Sequence, residues 1–397
     1  MNPTPRKILI VGGGFAGVYA FARLHKRYHK DASVELRMVS ASDYFLFTPL
    51  LHEVATGGIT EESVKFNIRA MLGCCLADFV QASALHVDLA KKTVGTTAGA
   101  FPYDVLIYAL GAGTGYFSLP EDSKRHTVSL KTVEDARRIK ARLVGLFEEA
   151  AEPSIVVVGG GPTGIEVAAE VREYFDTLRS LFKRTDGRVT VVHAGSRLLP
   201  QFHADLGTKA THVLETRGVD VVLNGTVQSV DAHHVVLADR RQIPANLVIW
   251  AAGVVAHRIP FTPDVQVDPK GRILVTPFLA VPDHPDVFVA GDAAGIDTVP
   301  MTAQAAVAMG EAAADNAIAF LSAEKPVRFS YRHRGDLFSL GQWLAGAEIF
   351  GMRFFGHFAW WLWRTVYLFK IIGVRNRVKV MVDWTFNLFL PRNIDIS

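Results

Sequence analysis

The chain contains one glycine-rich pattern twice, and this duplication constrains its fold more than any other feature. "LIVGGGFAG" occupies residues 9–17, and "VVVGGGPTGIE" occupies residues 156–166. Each copy follows a short β-branched run, precedes a segment with helical spacing of apolar residues, and is followed by another short β-branched run. The sequence therefore predicts two strand–turn–helix–strand units of about 30 residues each.

The glycines of each copy have mechanical roles in a dinucleotide-binding loop. The first permits a tight turn, the second lets the backbone approach a pyrophosphate, and the third lets the helix pack against the strand. The N–H groups of the following helix then face the phosphates. The loop residues are Gly12, Gly14, Phe15, Ala16 and Gly17 in the first copy and Gly159, Gly161, Pro162, Thr163 and Gly164 in the second. Two copies in complete context predict a chain that holds two dinucleotides.

Two dinucleotides in one chain indicate electron transfer, because a nicotinamide donates hydride and a flavin accepts it. The spacing predicts that the second unit is inserted within the first domain. We expect the chain to return at "PDVFVAGDAAG", a buried strand followed by Asp292, which faces the flavin's ribityl chain. A helix N-cap is the alternative role of Asp292. "VLADRRQIPANLVIWAAGV" predicts a hairpin that leads into a buried strand.

Composition excludes other classes of protein. Lys+Arg number 42 against 39 Asp+Glu, and the net charge of +3 argues against nucleic acid as a partner. The only cysteines, Cys74 and Cys75, are adjacent, which predicts no disulfide framework and a reducing compartment. The 14 histidines show no metal-ligand spacing, so we expect no metal. The N-terminus lacks a signal-peptide core, so we expect it to be cytosolic.

The last 60 or so residues are rich in aromatic and basic side chains. "FFGHFAWWLWRTVYLFKIIG" is interrupted by charges and fails as a membrane span. Drawn as a helix, it places His357, Arg364 and Arg375 on one face and Phe355, Leu362, Val366 and Phe369 on the other. This pattern predicts a helix in the plane of a membrane surface, with a packing or dimer helix as the alternative.

The order of the motifs resembles one family. "LIVGGGFAG", "FTPLLHEVATG", "YDVLIYALG", "VVGGGPTGIE", "VIWAAGV", "DVFVAGDAA" and "PMTAQAAVAMG" follow one another as in single-subunit type II NADH:quinone oxidoreductases. The resemblance implies FAD on the first loop, NADH or NADPH on the second, and a membrane quinone as acceptor. It also implies a peripheral, non-proton-pumping enzyme of the respiratory chain, on the cytoplasmic side of the inner membrane.

The resemblance also assigns roles to residues. Thr48, Pro49, Gly111 and Asp292 are expected along the FAD, and Gly253 of "WAAG" is expected at the nucleotide. Glu166 matches a family glutamate near the nicotinamide and flavin, although a carboxylate at a helix start is also stabilised by the helix dipole on a surface. Ala303 and Gln304 match the start of the quinone pattern, in which Ala308 replaces a second glutamine.

Both units lack the acid that usually binds the ribose at the end of the second strand. Ser40 occupies this position in the first unit and His193 in the second, with Arg197 close by. Loss of negative charge at His193 predicts that the enzyme tolerates NADPH. The sequence does not decide which quinone is used or whether the protein forms a homodimer.

The sequence thus predicts an α/β fold with two glutathione-reductase-type dinucleotide-binding domains and C-terminal helices on the membrane surface. The FAD domain is predicted at residues 1–118 and 277–330, the NAD(P)H domain at 119–276, and the membrane segment at 331–397. Two alternatives of the same architecture remain. A sulfide- or disulfide-type oxidoreductase would need a redox-active cysteine pair, and a nucleotide-sensing flavoprotein would not turn over quinone.

Overall fold

A computed structural model of the protein describes residues 4–72, 78–117, 119–149, 152–183, 186–388 and 390–395. The prediction for Cys74 and Cys75 lies outside these residues. The chain divides into two compact units. Unit 1 comprises Met1–Leu46, Lys65–Gly113 and Val255–His333, and unit 2 comprises Phe47–Val64, Thr114–Val254 and Arg334–Ser397. Compared with the predicted ranges, unit 2 joins the C-terminal segment and residues 47–64 to most of the predicted NAD(P)H domain.

The described residues form ten α-helices and 27 strands. The helices are α1 (Phe15–Tyr28), α2 (Leu51–Ala55), α3 (Ile68–Leu72), α4 (Glu121–Lys124), α5 (Val133–Glu149), α6 (Pro162–Phe182), α7 (Ala204–Thr216), α8 (Ala303–Leu321), α9 (His357–Lys370) and α10 (Val374–Phe386). Short 3-10 turns span Thr48–Leu50, Glu61–Ser63 and Gly291–Ala293.

The strands of the first half are β1 (Arg6–Val11), β2 (Val34–Ser40), β3 (Tyr44–Leu46), β4 (Lys65–Asn67), β5 (Asp78–Gln81), β6 (Ala84–Asp88), β7 (Thr93–Thr96), β8 (Gly99–Pro102), β9 (Val105–Tyr108), β10 (Ala112–Thr114), β11 (Thr127–Ser129), β12 (Ser154–Val158) and β13 (Arg188–Val192). Those of the second half are β14 (Val219–Val222), β15 (Val227–Val230), β16 (His234–Leu237), β17 (Gln242–Pro244), β18 (Leu247–Trp250), β19 (Val254–Ala256), β20 (Phe261–Thr262), β21 (Ile273–Leu274), β22 (Ala280–Val281), β23 (His284–Val289), β24 (Ala294–Gly295), β25 (Gly335–Ser339), β26 (Ala345–Ile349) and β27 (Met352–Gly356).

Unit 1 is built on a six-stranded sheet in the order β22-β23-β9-β1-β2-β5. β1 runs parallel to β2 and β9, and only β22 is antiparallel to its neighbour. The central strands are continuous apolar runs, and all four residues of β9 are buried, as expected for parallel strands covered on both faces. β1, α1 and β2 form the first predicted unit, which is therefore confirmed, as is the buried return strand β23.

Unit 2 contains a five-stranded parallel sheet in the order β11-β18-β12-β13-β14. β12, α6 and β13 form the second predicted unit, which is also confirmed. The predicted hairpin is the antiparallel pair β16–β17, and it leads into the buried strand β18. The two glycine loops thus leave the carboxyl ends of β1 and β12, where ligands bind in open α/β sheets.

The C-terminal part of unit 2 differs from the predicted single helix. β25, β26 and β27 form an antiparallel sheet, and Phe355 belongs to β27 rather than to a helix. The chain then forms α9, leaves the helix at residues 371–373 and forms α10. Glycines before both helices, Gly356 and Gly373, provide these changes of direction.

The predicted faces of α9 are confirmed in part, because His357 is exposed as expected, but the predicted position of Arg364 is wrong. Arg364, expected on the solvent-facing polar side, lies over the rings of Trp360 at 3.9 Å and Trp384 at 4.8 Å. Among the exposed residues are Phe369 (67% exposed), which the prediction placed on the apolar face, and two further large apolar residues, Phe358 (64%) and Trp361 (54%). A guanidinium can stack on aromatic faces, so the two tryptophans stabilise the charge of Arg364 in a partly buried position. Hydropathy alone does not predict this position, because it treats arginine as a solvent-exposed residue. None of the described helices is long and apolar enough to span a bilayer.

Candidate functional site

The glycine loop of unit 1 has the geometry of a pyrophosphate cradle. The Gly12 N–H donates to the carbonyl of Val39 at 2.8 Å, which turns the chain sharply at the end of β1. A Cβ atom on Gly17 would overlap the carbonyl oxygen of Gly12, so only glycine permits this helix–strand approach. A Cβ atom on Gly14 would meet no atom within 4 Å. The open space therefore lies where the backbone has to approach a phosphate.

Unit 2 repeats this geometry. The Gly159 N–H donates to the carbonyl of Val192 at 2.8 Å, and a Cβ atom on Gly164 would overlap the carbonyl oxygen of Gly159. The space beside Gly161 is open within 4 Å. Both loops thus have two sterically obligatory glycines and one glycine that faces free space.

The helix N-termini beside the two open spaces have no side-chain cap. Gly14 precedes α1 and Gly161 precedes α6, and neither position supplies a capping hydrogen bond from a side chain. The first N–H groups of each helix are therefore available to a ligand, and the positive end of the helix dipole favours an anion there. The donor set in each unit fits the pyrophosphate of a dinucleotide.

The ends of the second strands also occupy equivalent places. Ser40 ends β2, and its Oγ lies against Gly13 of the first loop. His193 follows β13, and its Nδ1 accepts a hydrogen bond from the Gly160 N–H at 3.2 Å in the second loop. Because Nδ1 is the acceptor, the ring proton lies on Nε2, and burial lowers the pKa of His193. At neutral pH this position is an uncharged hydrogen-bond donor.

Arg197 has a structural role in the same loop region. Its guanidinium donates to the backbone carbonyls of Leu199 at 3.2 Å, Phe202 at 2.9 Å and Pro200 at 2.7 Å. The Leu199 N–H in turn donates to the Gly160 carbonyl at 2.8 Å. Arg197 thus holds the chain that packs on the glycine loop, and three of its five N–H donors bond these carbonyls.

Other residues assigned to FAD are divided between the units. In unit 1, Gly111 follows β9, beside the end of β1, and Asp292 is half-buried in the turn that follows β23. Gly291 packs against Ala16 of α1, which brings this turn next to the first loop. Thr48 and Pro49 form a 3-10 turn in unit 2, and Thr48 is exposed.

The residues assigned to the quinone lie at the start of α8 in unit 1. Thr302 caps this helix by accepting the Ala305 N–H at 3.3 Å, so Ala303 and Gln304 form its first turn. Gln304 and Ala308 are both half-buried and lie four residues apart on one face.

Gly253, which the sequence assigned to the nucleotide, lies in unit 2. It follows β18, and its carbonyl accepts the Gly115 N–H at 3.0 Å.

Glu166 lies in the first turns of α6 and is only 6% exposed, so it is not the surface carboxylate that the sequence left open. Its Oε1 accepts the Ser339 N–H at 3.0 Å, and its Oε2 lies 3.9 Å from His52 Nδ1. Burial raises the pKa of Glu166 to about 8 and lowers that of His52 to about 4. At neutral pH the carboxyl is thus largely protonated and the imidazole is neutral.

The groups that surround Glu166 were not predicted from the sequence. Glu170 and Glu173 continue the same face of α6, and Glu53 approaches from α2. One sequence pattern could have predicted this cluster. Glutamates recur at positions 166, 170 and 173 of "GIEVAAEVREYF", which places them on one face of a largely apolar helix. Carboxyl groups on such a face are expected to be buried and paired rather than solvated. Among the described residues, no group of three or more His, Cys, Asp and Glu side chains has a metal-binding arrangement.

Comparison with known proteins agrees with this arrangement. Residues 6–310 match the family described as pyridine nucleotide-disulphide oxidoreductase, and residues 333–393 match the NDH2 C-terminal domain. A type II NADH:quinone oxidoreductase from Mycobacterium tuberculosis is 30% identical over 98% of this chain and 89% of its own length. The chain belongs to the type II NADH:quinone oxidoreductase family. The family resemblance and the predicted α/β fold are therefore confirmed.

Solved structures show the same fold. An NDH2 from Plasmodium falciparum in complex with NADH superimposes with a TM-score of 0.89 at 19% identity, over 98% of this chain and 99% of that one. A sulfide:quinone oxidoreductase from Aquifex aeolicus gives 0.76 at 17% identity, over 98% and 96%. The fold is thus shared with the sulfide-oxidising alternative, and family membership rests on the sequence matches.

Proposed function

We propose that the chain oxidises NADH and passes two electrons through FAD to a membrane quinone. The observation that carries this proposal is the pair of equivalent glycine loops, each with an uncapped helix N-terminus beside an open space. FAD, when bound, accepts a hydride and releases electrons singly or in pairs. The protein binds and orients the two dinucleotides, and placement of donor and acceptor at a reacting distance supplies much of the rate.

In this proposal the loop at Gly14 and the start of α1 bind the FAD pyrophosphate, with Ser40 at its ribose. The loop at Gly161 and the start of α6 bind NADH, with His193 at its ribose. Glu166 holds a proton close to the reacting centre, and Gln304 binds the quinone head group. Ala308 offers no polar atom, so Gln304 is the remaining glutamine of the quinone pattern.

The spectrum of the purified protein tests this function. Yellow flavin bands are expected to bleach with NADH and to recover with a soluble quinone, and steady-state kinetics are expected to be ping-pong. A colourless polypeptide that retains no flavin would refute the proposal. A flavin that NADH reduces but quinone never reoxidises would favour the nucleotide-sensing alternative.

We also propose that the enzyme accepts NADPH. The neutral His193 carries no charge that would repel a 2′-phosphate, while Arg197 is occupied by three carbonyls and adds no specific attraction. Comparison of kcat/KM for the two nucleotides tests this. A preference for NADH of about 100-fold, roughly 2.7 kcal/mol, would reject it.

A further part of the proposal is peripheral attachment to the cytoplasmic side of the inner membrane. The exposed apolar residues of α9 and α10 support it, because Trp and Phe side chains insert at a lipid interface. They are Phe358, Trp361, Phe369, Val374, Val378, Met381, Val382 and Phe386. Basic residues accompany them in "VRNRVKV". Deletion of the segment would also remove Trp360, Trp363 and Trp384 from the core, so substitution is the better test.

The triple variant Phe358→Ser, Trp361→Ser, Phe369→Ser is expected to lose co-sedimentation with anionic vesicles and to keep NADH-to-ferricyanide activity. Leu181→Ser, an exposed apolar residue on α6, is the matched control. Unchanged vesicle binding of the triple variant would place the attachment elsewhere. Loss of a dimer with vesicle binding intact would assign this face to self-association.

A further inference from the structure

Unit 2 contains four carboxylates in its interior. α6 contributes Glu166, Glu170 and Glu173, whose spacing of four and three residues places them on one helix face. α2 contributes Glu53, which is 6% exposed. Glu170 is 4% exposed, and the Glu173 side chain is 17% exposed. Carboxylates are seldom buried unless they are paired, so the partners of each one indicate what it can do.

Two of the four are compensated by arginine. Arg392, near the C-terminus, pairs with Glu170 and, at 2.7 Å, with Glu173. Arg217 also pairs with Glu173 at 2.6 Å. Burial, the largest single effect, would raise the pKa of Glu170, but the charge of Arg392 together with His52 and hydrogen bonds from Arg392 and Thr56 holds that pKa below its ordinary value. This half of the cluster is a fixed ionic network.

The other two carboxyls have no arginine or lysine ion pair among the described residues. Glu53 accepts the Trp384 Nε1–H at 2.6 Å, and Glu166 accepts the Ser339 N–H at 3.0 Å. Burial raises the pKa of Glu53 to about 7, close to the value of about 8 for Glu166. Each of these two carboxyls therefore exchanges a proton with its surroundings in the physiological pH range.

The charged and hydrogen-bonding groups around the pair come from every element packed against it. Those that act on Glu53 are Glu170, which raises its pKa, and Arg364, Trp384 and Arg392, which lower it. Those that act on Glu166 are Ser339 and the indole N–H of Trp363, which lower its pKa, and Glu170 and Glu53, which raise it, while His52 and Tyr367 lie nearby. Glu53 thus influences the protonation of Glu166 directly through its charge.

A small cavity adjoins Glu53. Its water-accessible volume is about 20 Å³, enough for one water molecule, and its wall includes Trp363, Arg364 and Trp384. Arg364 Nε is a buried donor without a hydrogen-bond partner among the described residues, whereas the indole N–H of Trp363, a side chain only 1% exposed, acts on Glu166. A buried donor of this kind requires an acceptor, which a water molecule in the cavity would supply, and Glu53, Ser339 and Trp363 all line the same cavity.

We propose that Glu53 is a proton-relay residue, which exchanges its proton with water through this cavity and restores the proton of Glu166 after each turnover. The reaction NADH + H⁺ + quinone → NAD⁺ + quinol takes two electrons and one proton from NADH and one further proton from water. In the relay, a solvent acid protonates the Glu53 carboxylate, and the proton then passes to Glu166 through a water molecule in the cavity, whose wall includes the two groups that bond Glu166, Ser339 and Trp363. Glu53 acts through Glu166, and the relay rests on the proposed function.

Glu53→Gln tests the relay in the FAD-loaded, full-length enzyme. Glutamine keeps the volume and an acceptor for Trp384 but holds no dissociable proton. We expect flavin reduction by NADH, measured by stopped flow, to stay within about twofold of wild type, and kcat for quinone to fall at least about tenfold at pH 6, where Glu53 holds its proton. The KM for NADH is expected to stay unchanged. The decline of kcat through pH 7 in the wild type is expected to disappear in the variant.

Infrared difference spectroscopy gives a readout that does not depend on turnover. The C=O stretch of a protonated carboxyl, titrating near pH 7, is expected in wild type and absent in Glu53→Gln. Glu62→Gln, at an exposed glutamate on the turn that follows α2, is the control and is expected to retain both the band and the activity. Glu53→Asp keeps a titratable group and is expected to recover part of kcat, which a purely structural defect would not predict.

The outcomes separate the relay from the function on which it rests. If the wild-type enzyme reduces quinone and Glu53→Gln has the same kcat and pH profile, the relay is overturned and the proposed function stands. Absence of the infrared band in the wild type would also overturn it. A wild-type protein that bleaches with NADH but reduces no quinone would instead refute the proposed function.

Discussion

Glu166→Gln is expected to change how the stability of the protein depends on pH. Burial raises the pKa of this carboxyl from its ordinary value of 4.5 to about 8. The native state therefore keeps a proton that the unfolded chain releases between these two pH values, and the free energy of unfolding falls as pH rises through this range. At 1.36 kcal/mol for each pH unit, the loss is about 5 kcal/mol above pH 8 and close to zero below pH 4.5.

Glutamine removes this loss, because it is neutral at every pH and its carbonyl still accepts the Ser339 N–H. Urea unfolding of wild type and Glu166→Gln at pH 5 and pH 9 gives the comparison. The variant is expected to match or fall slightly below wild type at pH 5 and to gain at least about 2 kcal/mol relative to wild type at pH 9, after allowance for coupling to Glu53.

Glu62→Gln serves as the control for a general effect of removing one negative charge, since Glu62 is exposed. Its stability is expected to follow that of wild type at both pH values. If Glu166→Gln and wild type lost stability in parallel from pH 5 to pH 9, Glu166 would be ionised in the native protein, and the reasoning from burial would be wrong.

Four further predictions concern the glycine loops, the buried ion pair of Arg392 and the ribose position His193. Gly164→Ala is expected to lower the melting temperature and abolish NADH-dependent flavin bleaching, because its Cβ would overlap a backbone carbonyl. Gly161→Ala, with open space beside it, is expected to keep the melting temperature and weaken NADH binding only. Arg392→Ala leaves Glu170 as an uncompensated buried charge, so urea unfolding is expected to show a loss of about 3–5 kcal/mol; a loss under 1 kcal/mol would contradict this. His193→Glu is expected to lower kcat/KM for NADPH at least about tenfold with little change for NADH, and equal effects on both would refute a ribose-site role.

Much of the fold was predictable because its determinants are local. The tight turn, the close helix–strand approach and the open phosphate space each depend on one glycine within a continuous stretch, so Gly12–Gly17 and Gly159–Gly164 identified both loops. Continuous apolar runs identified the central strands for the same reason, because all four residues of β9 and four of the five residues of β12 are buried.

The orientation of α9 was not predictable in this way. Hydropathy assigns a cation to water, but Arg364 lies between Trp360 of its own helix and Trp384 of the next one. Arg197 presents the same difficulty, since its position suggested a phosphate contact and the folded loop directs it to three backbone carbonyls. In both cases the partner groups become adjacent only when the chain folds.

The sequence by itself determined that this chain binds two dinucleotides on parallel sheets, because a glycine loop is specified by neighbouring residues and its steric requirements are the same in any context. Only the tertiary structure decided the chemistry of the acidic cluster. Glu53 meets Trp384 across 331 positions, and Glu166 meets Ser339 across 173. A carboxyl's pKa depends on its burial and on the charges around it, and distant segments supply both.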